Sequence, residues 1–344
     1  MRRKRWDFRF LVLSGLLAAI FFLSSQAEAL RFVVYGDSRS DNKENPVNEQ
    51  VLNQINEKII KLRPQPEFVI FGGDMAYRGG RANFEKWKDL LKAITDQGIK
   101  LYIAIGNHEL YKEPGEDQEE SSGLDFGLDL DNQKEFQQVF DFLPANGPNE
   151  DHKHLAYTFT SADGDSFFVV LATYYVDPQT KEAYDGKLDP AQMTWVEKEL
   201  AKSTATHKFV ISHRPVFSTG GGEPESTLKE LWQIMDNNRA DIYFSGHEHL
   251  YCRKTIDVKM DPGFLHKVVQ VIDGSCGAPL SSGDDVKVNK RQWHVKLTYN
   301  YSVVDVNDCQ VTVRSFGWHD PNQPQNPELG LIDGFKRKTV DCQP

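Results

Sequence analysis

The sequence predicts an α/β protein in which parallel strands alternate with helices. Residues 30–105 contain three short apolar, β-rich runs separated by two stretches with helical periodicity. The same alternation returns between residues 156 and 245. In addition, 39% of the 344 residues are hydrophobic, which is enough for a substantial core. Strands that alternate with helices in this way are typical of layered α/β folds with parallel neighbouring strands.

The elements of the N-terminal part follow one another regularly. Strands are predicted at Leu30–Tyr35, Phe68–Phe71 and Leu101–Ile105, and helices at Pro46–Leu62 and Arg81–Gln97. Apolar side chains recur on one face of both helices, and Gly98 ends the second one. Residues 112–132 are acidic and show no periodicity, so we expect a surface insertion there.

The C-terminal part adds strands and two further helices. The strands are predicted at Ala156–Thr160, Phe167–Thr173, Phe209–Ser212, Ile242–Ser245, Val268–Ile272, Tyr301–Val306 and Gln310–Phe316, and the helices at Asp189–Ala201 and Leu228–Asn237. The first two of these strands are expected to form an antiparallel pair. No linker divides residues 30–319, so we expect one domain, followed by an irregular tail at residues 320–344 that is rich in Asp, Pro, Asn and Gly.

The first 29 residues have the three parts of a cleavable export signal. A basic start, Arg2-Arg3-Lys4-Arg5, precedes an apolar stretch, Phe10–Leu23, and the small-residue triplet Ala27-Glu28-Ala29. A membrane anchor is the alternative, but the apolar stretch is short for a bilayer span. We therefore expect cleavage near Ala29, no membrane association afterwards, and a periplasmic or secreted location, by a route that the arginine pair leaves open.

The charge balance disfavours polyanionic partners. The formal net charge is −10, and removal of residues 1–29, with five cations and two anions, would change it to −13. Nucleic-acid-binding domains are typically basic, so we expect no nucleic-acid partner. A small anionic substrate is compatible with this charge, because bound metal cations would reverse the sign of the field locally.

The four cysteines, Cys252, Cys276, Cys309 and Cys342, lack the close spacing of a zinc knuckle. An exported chain favours disulfides, and three pairings are possible. We favour Cys309 with Cys342, because this bond would tie the polar tail to the last hairpin, and by elimination Cys252 with Cys276. Four free buried thiols are the alternative.

Polar side chains follow the predicted strands at five separate places. They are Asp37, Asp74, Asn107, His213, and the pair His247 and His249. Neither a packed core nor a solvated face requires such residues repeatedly after strands, whereas a metal site does. A mixed Asp, Asn and His set suits iron, manganese or zinc rather than calcium. Two ions about 3.5–4 Å apart, bridged by one carboxylate such as Asp74, would activate water and hold both the attacking and departing oxygens.

Four motifs, in this order, resemble those of a known family. They are Gly73-Asp74-x-x-Tyr77, Gly106-Asn107-His108-Glu109, Val210-x-x-His213 and Gly246-His247-x-His249. The series is similar to that of the calcineurin-like metallophosphoesterases and, with tyrosine at position 77, most similar to the purple acid phosphatases. The resemblance implies a layered sandwich of two mixed β-sheets flanked by helices, with residues 30–319 as the catalytic domain.

The resemblance also implies a role for each motif residue. The first ion would be held by Asp37, Asp74, Tyr77 and His249, and the second by Asp74, Asn107, His213 and His247. His108 would donate a proton to the phosphate or its leaving group, and Glu109 would orient a neighbouring group. If Tyr77 binds as a phenolate, the first ion is iron(III), beside a divalent iron, zinc or manganese ion. Alternatively, Tyr77 only packs against its loop.

Arg39 departs from the family pattern, because the broader family has histidine and the purple enzymes have glycine at this position. A guanidinium group has donors only and cannot coordinate a cation. Arg39 is therefore predicted to be a catalytic residue that binds a phosphate oxygen. An ion pair with Asp41 or Glu44 is the alternative. Arg214 has the same two interpretations, a substrate contact or a structural ion pair.

The predicted function is that of an exported, acid phosphatase-like hydrolase of phosphate monoesters. It would act on a small phosphorylated substrate with water activated by two metal ions. A phosphodiesterase or nucleotide hydrolase on the same site is one alternative. A phosphate- or metal-binding protein without turnover is another, although His108 and a complete set of ligands for the second ion argue against it.

Overall fold

The computed structural model describes residues 29–111, 127–318, 329–339 and 342. The expected export signal, apart from Ala29, lies outside the described residues. So do most of the acidic insertion and much of the C-terminal tail. None of the helices in the described ranges combines the length and the apolar character that crossing a bilayer requires.

The described residues form six α-helices and fourteen β-strands. The helices are α1 (Glu49–Ile59), α2 (Arg81–Leu90), α3 (Lys92–Thr95), α4 (Leu130–Val139), α5 (Pro190–Lys202) and α6 (Ser226–Asn237). The strands are β1 (Leu30–Tyr35), β2 (Phe68–Phe71), β3 (Lys100–Ile103), β4 (Tyr157–Thr160), β5 (Ser166–Val170), β6 (Tyr174–Val176), β7 (Ala183–Asp185), β8 (His207–Ile211), β9 (Ile242–Ser245), β10 (Tyr251–Ile256), β11 (Val268–Asp273), β12 (Asn300–Asn307), β13 (Gln310–Trp318) and β14 (Leu329–Lys338). A short 3₁₀ helix covers Glu150–His152.

Two six-stranded mixed sheets form the body of the molecule, as the resemblance implied. The first sheet has the order β14-β13-β12-β1-β2-β3 and the second the order β10-β11-β9-β8-β5-β4, while β6 and β7 form a separate pair. Strands β1, β2 and β3 run parallel in the first sheet. Strands β5, β8, β9 and β11 run parallel in the second. The expected antiparallel pairing of β4 with β5 is confirmed.

The two sheets pack face to face through an aromatic core. The Phe32 ring on β1 meets Phe168 on β5 and Phe209 on β8 edge to face, with centroids 5.2 and 5.4 Å apart. Helices cover the outer faces: Trp87 of α2 packs on Phe71 of β2 at 4.6 Å, and α5 and α6 bury their apolar side chains in a second cluster. This layering fixes the relative position of the two sets of parallel strands.

The C-terminal tail is not irregular throughout, which corrects the sequence-based expectation. Leu329–Lys338 forms β14, which pairs antiparallel with β13 at the edge of the first sheet. Charged residues such as Lys336 and Arg337 hide the strand pattern in the sequence. Edge strands commonly carry such charges, because they oppose pairing with other chains.

One predicted disulfide is confirmed and the other is wrong. Cys309 and Cys342 are bonded and connect the β12–β13 hairpin to the tail. Cys252 and Cys276 are both free and buried. They cannot pair because they belong to different cores: Cys252 packs in the outer cluster with α5 and α6, whereas Cys276 packs in the cluster between the sheets.

Candidate metal centre

The first sheet delivers three of the predicted ligands at the carboxyl ends of its parallel strands. Asp37 follows β1, Asp74 follows β2 and Asn107 follows β3. The loops after β1 and β2 are joined, because the Asp37 N–H donates to the Gly73 carbonyl at 2.9 Å. Asp37 and Asp74 both adopt the left-handed backbone region, with φ values of 61° and 54°. Residues other than glycine rarely adopt this region, and those that do are enriched at active sites.

The second sheet supplies the three histidines. His213 follows β8, and His247 and His249 follow β9. The His247 N–H donates to the Asp37 carboxylate at 2.9 Å, which links the loops of the two sheets. The site therefore lies where the carboxyl ends of both sets of parallel strands meet, as expected for ligand sites in α/β sheets.

One side of the site gathers the atoms predicted to hold the second ion. The Nε2 atom of His213 lies 3.0 Å from Asn107 Oδ1 and 3.3 Å from Asp74 Oδ1. The Nδ1 atom of His247 lies 3.1 Å from the same Asn107 oxygen. Two imidazole nitrogens, an amide oxygen and a carboxylate oxygen thus converge, and a first-row transition ion accepts all of these donors.

Asp37 and His249 are donors predicted for the first ion, and they lie close together. The His249 Nε2 atom lies 3.7 Å from Asp37 Oδ1. The other carboxylate oxygen, Asp37 Oδ2, is buried and has no hydrogen-bond partner among the described groups. An unsatisfied buried carboxylate oxygen is costly, and a bound cation would satisfy it. Asp37, Asp74 and His213 offer ligand atoms within 4.8 Å of one another, so the residues present fit a bound metal ion.

Backbone carbonyls orient two of the histidines. The Nδ1 atom of His213 donates to the Gly72 carbonyl at 2.6 Å, and that of His249 donates to the Pro279 carbonyl at 2.7 Å. A carbonyl only accepts, so Nδ1 carries the proton in both rings and Nε2 faces the site. Hydrogen bonds of this kind fix the tautomer of metal-binding histidines.

Two glycines allow the chain to pass close to the carboxylates. A Cβ atom at Gly246 would collide with Asp37 Oδ2, and one at Gly106 would collide with Asp74 Oδ1. A side chain at either position would displace the carboxylate. This close approach explains why glycine precedes His247 and Asn107 in the two motifs.

The charges in this buried cluster favour a bound cation. Burial raises the pKa of Asp37 well above its usual range. Burial acts in the same direction on Asp74, but the charges of His213 and His108 hold the pKa of that carboxyl well below its usual range. Burial lowers the pKa of His213, yet the neighbouring Asp74 carboxylate outweighs it and raises the pKa to about 9. A proton on His213 thus balances the carboxylates, and metal binding displaces such protons.

His108 stands beside the predicted ligands in a fixed orientation. The backbone N–H of His108 donates to Asp74 Oδ1 at 3.0 Å, and the ring Nδ1 atom donates to the Tyr77 carbonyl at 2.6 Å. Its Nε2 atom lies 3.9 Å from Asp74 Oδ2. With Nδ1 engaged, Nε2 is the ring atom free to exchange a proton with a bound molecule.

Glu109 is buried and connects the loops after β2 and β3. Its carboxylate accepts the N–H groups of Asp74 at 2.8 Å, Met75 at 2.7 Å and Gly106 at 2.7 Å. Burial raises the pKa of Glu109 to about 7. Glu109 therefore positions the backbone that carries Asp74, which is the orienting role expected from the sequence.

Arg39 points into the cluster. Its Nε atom lies 3.8 Å from Asp74 Oδ2, and its Nη1 donates to the Ser40 carbonyl at 3.0 Å. Among the described side chains its ion-pair partner is Asp74 rather than Asp41 or Glu44, so the predicted alternative pairing is not formed. Arg214 instead donates Nη1 to the Gly186 carbonyl at 3.0 Å.

A family model described as calcineurin-like phosphoesterase matches residues 30–251. The match covers more than half of the chain and includes every motif residue of the site. The chain belongs to the calcineurin-like phosphoesterase family.

Curated members of similar sequence include phosphatases. Serine/threonine-protein phosphatase CPPED1 of Danio rerio is 33% identical over 232 residues, which are 62% of this chain and 64% of the relative. The protein of the same name from Rattus norvegicus is 25% identical over 218 residues, 59% of this chain and 58% of the relative. Purple acid phosphatase 7 of Arabidopsis thaliana is 34% identical over 55 residues, 16% of this chain and 17% of the relative. The matched region thus spans less than two thirds of each of these relatives.

Solved structures share the calcineurin-like phosphoesterase fold seen here. The purple acid phosphatase PPD1 from yellow lupin (Lupinus luteus) has a TM-score of 0.64 at 18% identity, covering 93% of this chain and 57% of that chain. GAP50, the anchor in the inner membrane complex of Plasmodium, has a TM-score of 0.60 at 16% identity, covering 92% and 90%. At sequence identities this low, the two structures show a similarity of fold and nothing more.

One predicted ligand of this calcineurin-like phosphoesterase is not seen beside the others. The Tyr77 ring packs against the Arg78 guanidinium at 5.3 Å, and its centroid lies 6.3 Å from that of the His108 ring. No contact of Tyr77 with Asp37 or Asp74 occurs among the described contacts. Metal ligation by Tyr77 therefore stays a prediction.

A cavity of about 410 Å³ opens beside the centre and is bordered by His247 and Arg214. The loop that follows His213 forms most of its wall, through Val216, Ser218 and Thr219. The Glu248 carboxylate holds this loop, because it accepts the Thr219 hydroxyl at 2.6 Å and the Thr219 N–H at 3.0 Å. The cavity therefore offers space for the part of a substrate that extends beyond a phosphate at the centre.

Two tyrosines of the site were missed by sequence reasoning. The Tyr174 hydroxyl lies 3.5 Å from His247 Nδ1, and the Tyr111 hydroxyl accepts from Asn107 Nδ2 at 2.7 Å. Tyr174 directly follows the predicted strand Phe167–Thr173, so the rule that selected the candidate ligands at strand ends would also have found it. Tyr111 has no such signal beyond its separation of four residues from Asn107.

Proposed function

We propose that this calcineurin-like phosphoesterase hydrolyses phosphate monoesters at a centre of two metal ions. The convergence of buried donors from both sheets carries the proposal, because Asp37, Asp74 and His213 lie within 4.8 Å of one another. Asp37 Oδ2 also lacks a hydrogen-bond partner among the described groups. Folded proteins rarely leave such an atom unsatisfied unless a ligand or ion binds there.

The bound ions would activate water and neutralise the charge of the phosphate. The residues of the chain position the reacting groups. Asp74 would contribute a ligand to both ions, and it therefore connects the donors of the first ion with those of the second. Arg39 binds a phosphate oxygen through its guanidinium donors. His108 would protonate the departing oxygen from Nε2, while its Nδ1–H bond to the Tyr77 carbonyl keeps the ring aligned. This step requires the doubly protonated ring, because burial lowers the pKa of His108 to about 4, and the negative charge of a bound phosphate would favour that form.

We propose first-row transition ions for both positions, because the donors are carboxylate, amide and imidazole groups. The pair is iron(III) with divalent iron, zinc or manganese if Tyr77 ligates as a phenolate. An iron(III)–phenolate bond absorbs visible light, so we expect a coloured protein that loses the band in Tyr77→Phe. A colourless protein that is active with two divalent ions would contradict iron(III).

A small phosphorylated compound outside the cytoplasm is the proposed substrate. The basic start, apolar stretch and Ala-x-Ala triplet of residues 1–29 support export, and the acidic chain disfavours nucleic acid. Relatives named serine/threonine-protein phosphatase make phosphoserine peptides a second class of monoester to assay.

The deciding experiment compares hydrolysis of an aryl phosphate monoester by the wild type, Asp74→Asn and Asp96→Asn, each supplied with the same metal ions. Asp96 is exposed and distant from the motifs, so its variant controls for loss of a carboxylate. We expect turnover by the wild type and Asp96→Asn, and a return to background in Asp74→Asn. Cleavage of an aryl diester in place of the monoester would support the phosphodiesterase alternative. Absence of turnover on either ester would support a binding role.

A further inference from the structure

The Arg39 guanidinium lies 3.8 Å from the carboxylate that both predicted ions would share. We propose that Arg39 weakens binding of the first ion, so that the protein holds the second ion firmly and the first one as a readily exchanged ion. The inference rests on the proposed function only in taking the cluster as a metal centre. It concerns the relative affinity of the two positions for divalent ions.

The backbone of Arg39 is held in place by both neighbouring loops. Its N–H donates to the Asp74 carbonyl at 3.1 Å, and Arg39 forms a β-bridge with Val47. The next N–H, that of Ser40, donates to the Pro46 carbonyl at 3.0 Å. Arg39 is therefore anchored to the same loop that carries Asp74, and the backbones of the two residues are held side by side.

The side chain turns inward from this anchor. It is 16% exposed, and its Nε atom lies 3.8 Å from Asp74 Oδ2. That Nε atom is buried and lacks a hydrogen-bond partner among the described groups. A guanidinium group at this distance attracts the carboxylate that both ions must share, but it cannot itself act as a ligand.

The positive charge bears on the donors of the first ion. The two oxygens of the Asp74 carboxylate face different groups: Oδ1 lies 3.3 Å from His213 Nε2, a predicted donor of the second ion, whereas Oδ2 lies 3.8 Å from Arg39 Nε. Arg39 also follows Asp37, a predicted donor of the first ion, by two residues. On the second side, Arg214 borders the same cavity as His247. Arg214 is bonded to the Gly186 carbonyl, whereas Arg39 faces the shared carboxylate. The two arginines thus carry the same charge, but Arg39 faces the Asp74 carboxylate whereas Arg214 borders the cavity beside His247.

A divalent ion at the first position would lie close to the fixed charge of Arg39, and the repulsion is not screened by bulk water in this buried cluster. Besides Asp74, the donors predicted for the second ion are Asn107, His213 and His247, which follow β3, β8 and β9. We therefore expect the second ion to bind first. When only the second ion is bound, the positive charge of Arg39 would partly neutralise the negative charge of the Asp74 carboxylate.

The test is a titration of the metal-free, folded full chain with Mn²⁺, read out by the number of bound ions after dialysis and by electron paramagnetic resonance. We expect the wild type to retain one ion and to bind another about tenfold more weakly or worse. Its spectrum at one equivalent should be that of an isolated ion. Arg39→Gln should bind two ions with similar affinity and give the spectrum of an exchange-coupled pair at two equivalents.

Three further variants separate charge from shape. Arg39→Lys keeps the charge and should behave as the wild type, whereas Arg39→Met, a second neutral variant, should behave as Arg39→Gln. Arg214→Gln removes the matched arginine and should leave the affinity for the first ion unchanged. Two ions of equal affinity in the wild type, or an equal effect of Arg39→Gln and Arg214→Gln, would overturn the inference. A wild type that binds no Mn²⁺ at all would overturn the metal centre itself and the proposed function with it.

Discussion

His108 is adjacent in sequence to a predicted ligand, yet its ring is held by a backbone carbonyl and not by the ligand cluster. A proton donor matters most when the departing oxygen is a strong base. We therefore expect His108→Gln to lower kcat for an alkyl phosphate by roughly 10²- to 10⁴-fold. For an aryl phosphate with an acidic phenol, the loss should be much smaller. The measurement is kcat for the two esters at the same metal saturation.

The matched control is His294→Gln, which removes an imidazole outside the motifs. It should leave both rates as they are in the wild type. An equal loss for the two esters in His108→Gln would show that His108 supports the site structurally and does not protonate the leaving group.

Glu109 offers a second test at the scale of single residues. Its two carboxylate oxygens accept three N–H groups from two loops. In Glu109→Gln an amide NH₂ would face at least one of these N–H donors. We expect a loss of about 1–3 kcal/mol in the free energy of unfolding and weaker metal binding. Denaturant unfolding of metal-free and metal-loaded protein measures both effects. The exposed Glu85→Gln is the control, and equal stability of the two variants would contradict the role of Glu109.

Sequence reasoning could select these candidate ligands because they obey a rule of position. Asp37, Asp74, Asn107 and His213 each follow a strand, and strand ends can be predicted from apolar runs. Tyr77 lay inside a motif, but a motif does not show where the ring points, and here it packs against Arg78. The direction of a side chain depends on neighbours from other parts of the chain, which no local pattern contains.

Among the elements, the loop between β8 and α6 forms the wall of the cavity beside the centre. Ser218 is exposed on this wall, so Ser218→Trp should fill the cavity and leave the ions untouched. We expect kcat/KM for a phosphopeptide to fall by at least roughly tenfold, which corresponds to about 1.4 kcal/mol. For phenyl phosphate kcat/KM should stay within about twofold, because the small ester does not extend beyond the centre.

Thr204→Trp is the control for this loop, because Thr204 is exposed before β8 and therefore at the opposite end of that strand. It should affect neither substrate. An equal loss for both esters in Ser218→Trp would mean that the loop supports the centre and that the cavity does not bind the leaving group.

Buried strands were predicted well, whereas edge strands with many charged residues and a mostly polar helix were missed. Phe68–Phe71 and Ile242–Ser245 were predicted with their observed bounds, because every residue of β2 and β9 is buried. Strand β10, at the edge of the second sheet, has Arg253 and Lys254 at its centre and was not predicted. Helix α4 was also missed, since only Leu130, Phe136 and Val139 of its ten residues are apolar. Elements that are exposed to solvent carry polar and charged residues on that side, so the periodicity of their apolar residues is weak.

At the scale of the whole molecule, the order of strands was beyond the reach of sequence patterns. Strand β12 inserts beside β1, so that Leu30 pairs with Val306, and the Arg31 side chain donates to Asp305 at 2.5 Å. Alternation of apolar residues indicates that a strand exists but carries no information about its partner. The family resemblance supplied the two-sheet architecture, which periodicity alone did not.

The contact between the two sheets buries a carboxyl group that the metal centre does not use. Asp273, at the end of β11, accepts the Ser302 hydroxyl of β12 at 2.7 Å, while its Oδ2 atom has no hydrogen-bond partner among the described groups. Burial raises the pKa of Asp273 to about 8. The group is therefore protonated in the folded protein at neutral pH and ionised in the unfolded chain.

This difference makes stability depend on pH in a predictable direction. Between pH ~4 and ~8 the folded state retains a proton on Asp273 that the unfolded chain has lost, so the free energy of unfolding falls as pH rises. The contribution of this one group reaches about 1.4 kcal/mol per pH unit and ends above the folded pKa. Asp273→Asn still accepts the Ser302 hydroxyl but does not titrate. Denaturant unfolding in excess chelator at pH 5, 6 and 7 should therefore give a flatter profile for the variant than for the wild type. Chelation keeps ion binding out of the comparison, and the other titrating groups are common to both proteins. Parallel profiles would mean that Asp273 is ionised in the fold, and that water or a cation reaches it between the sheets.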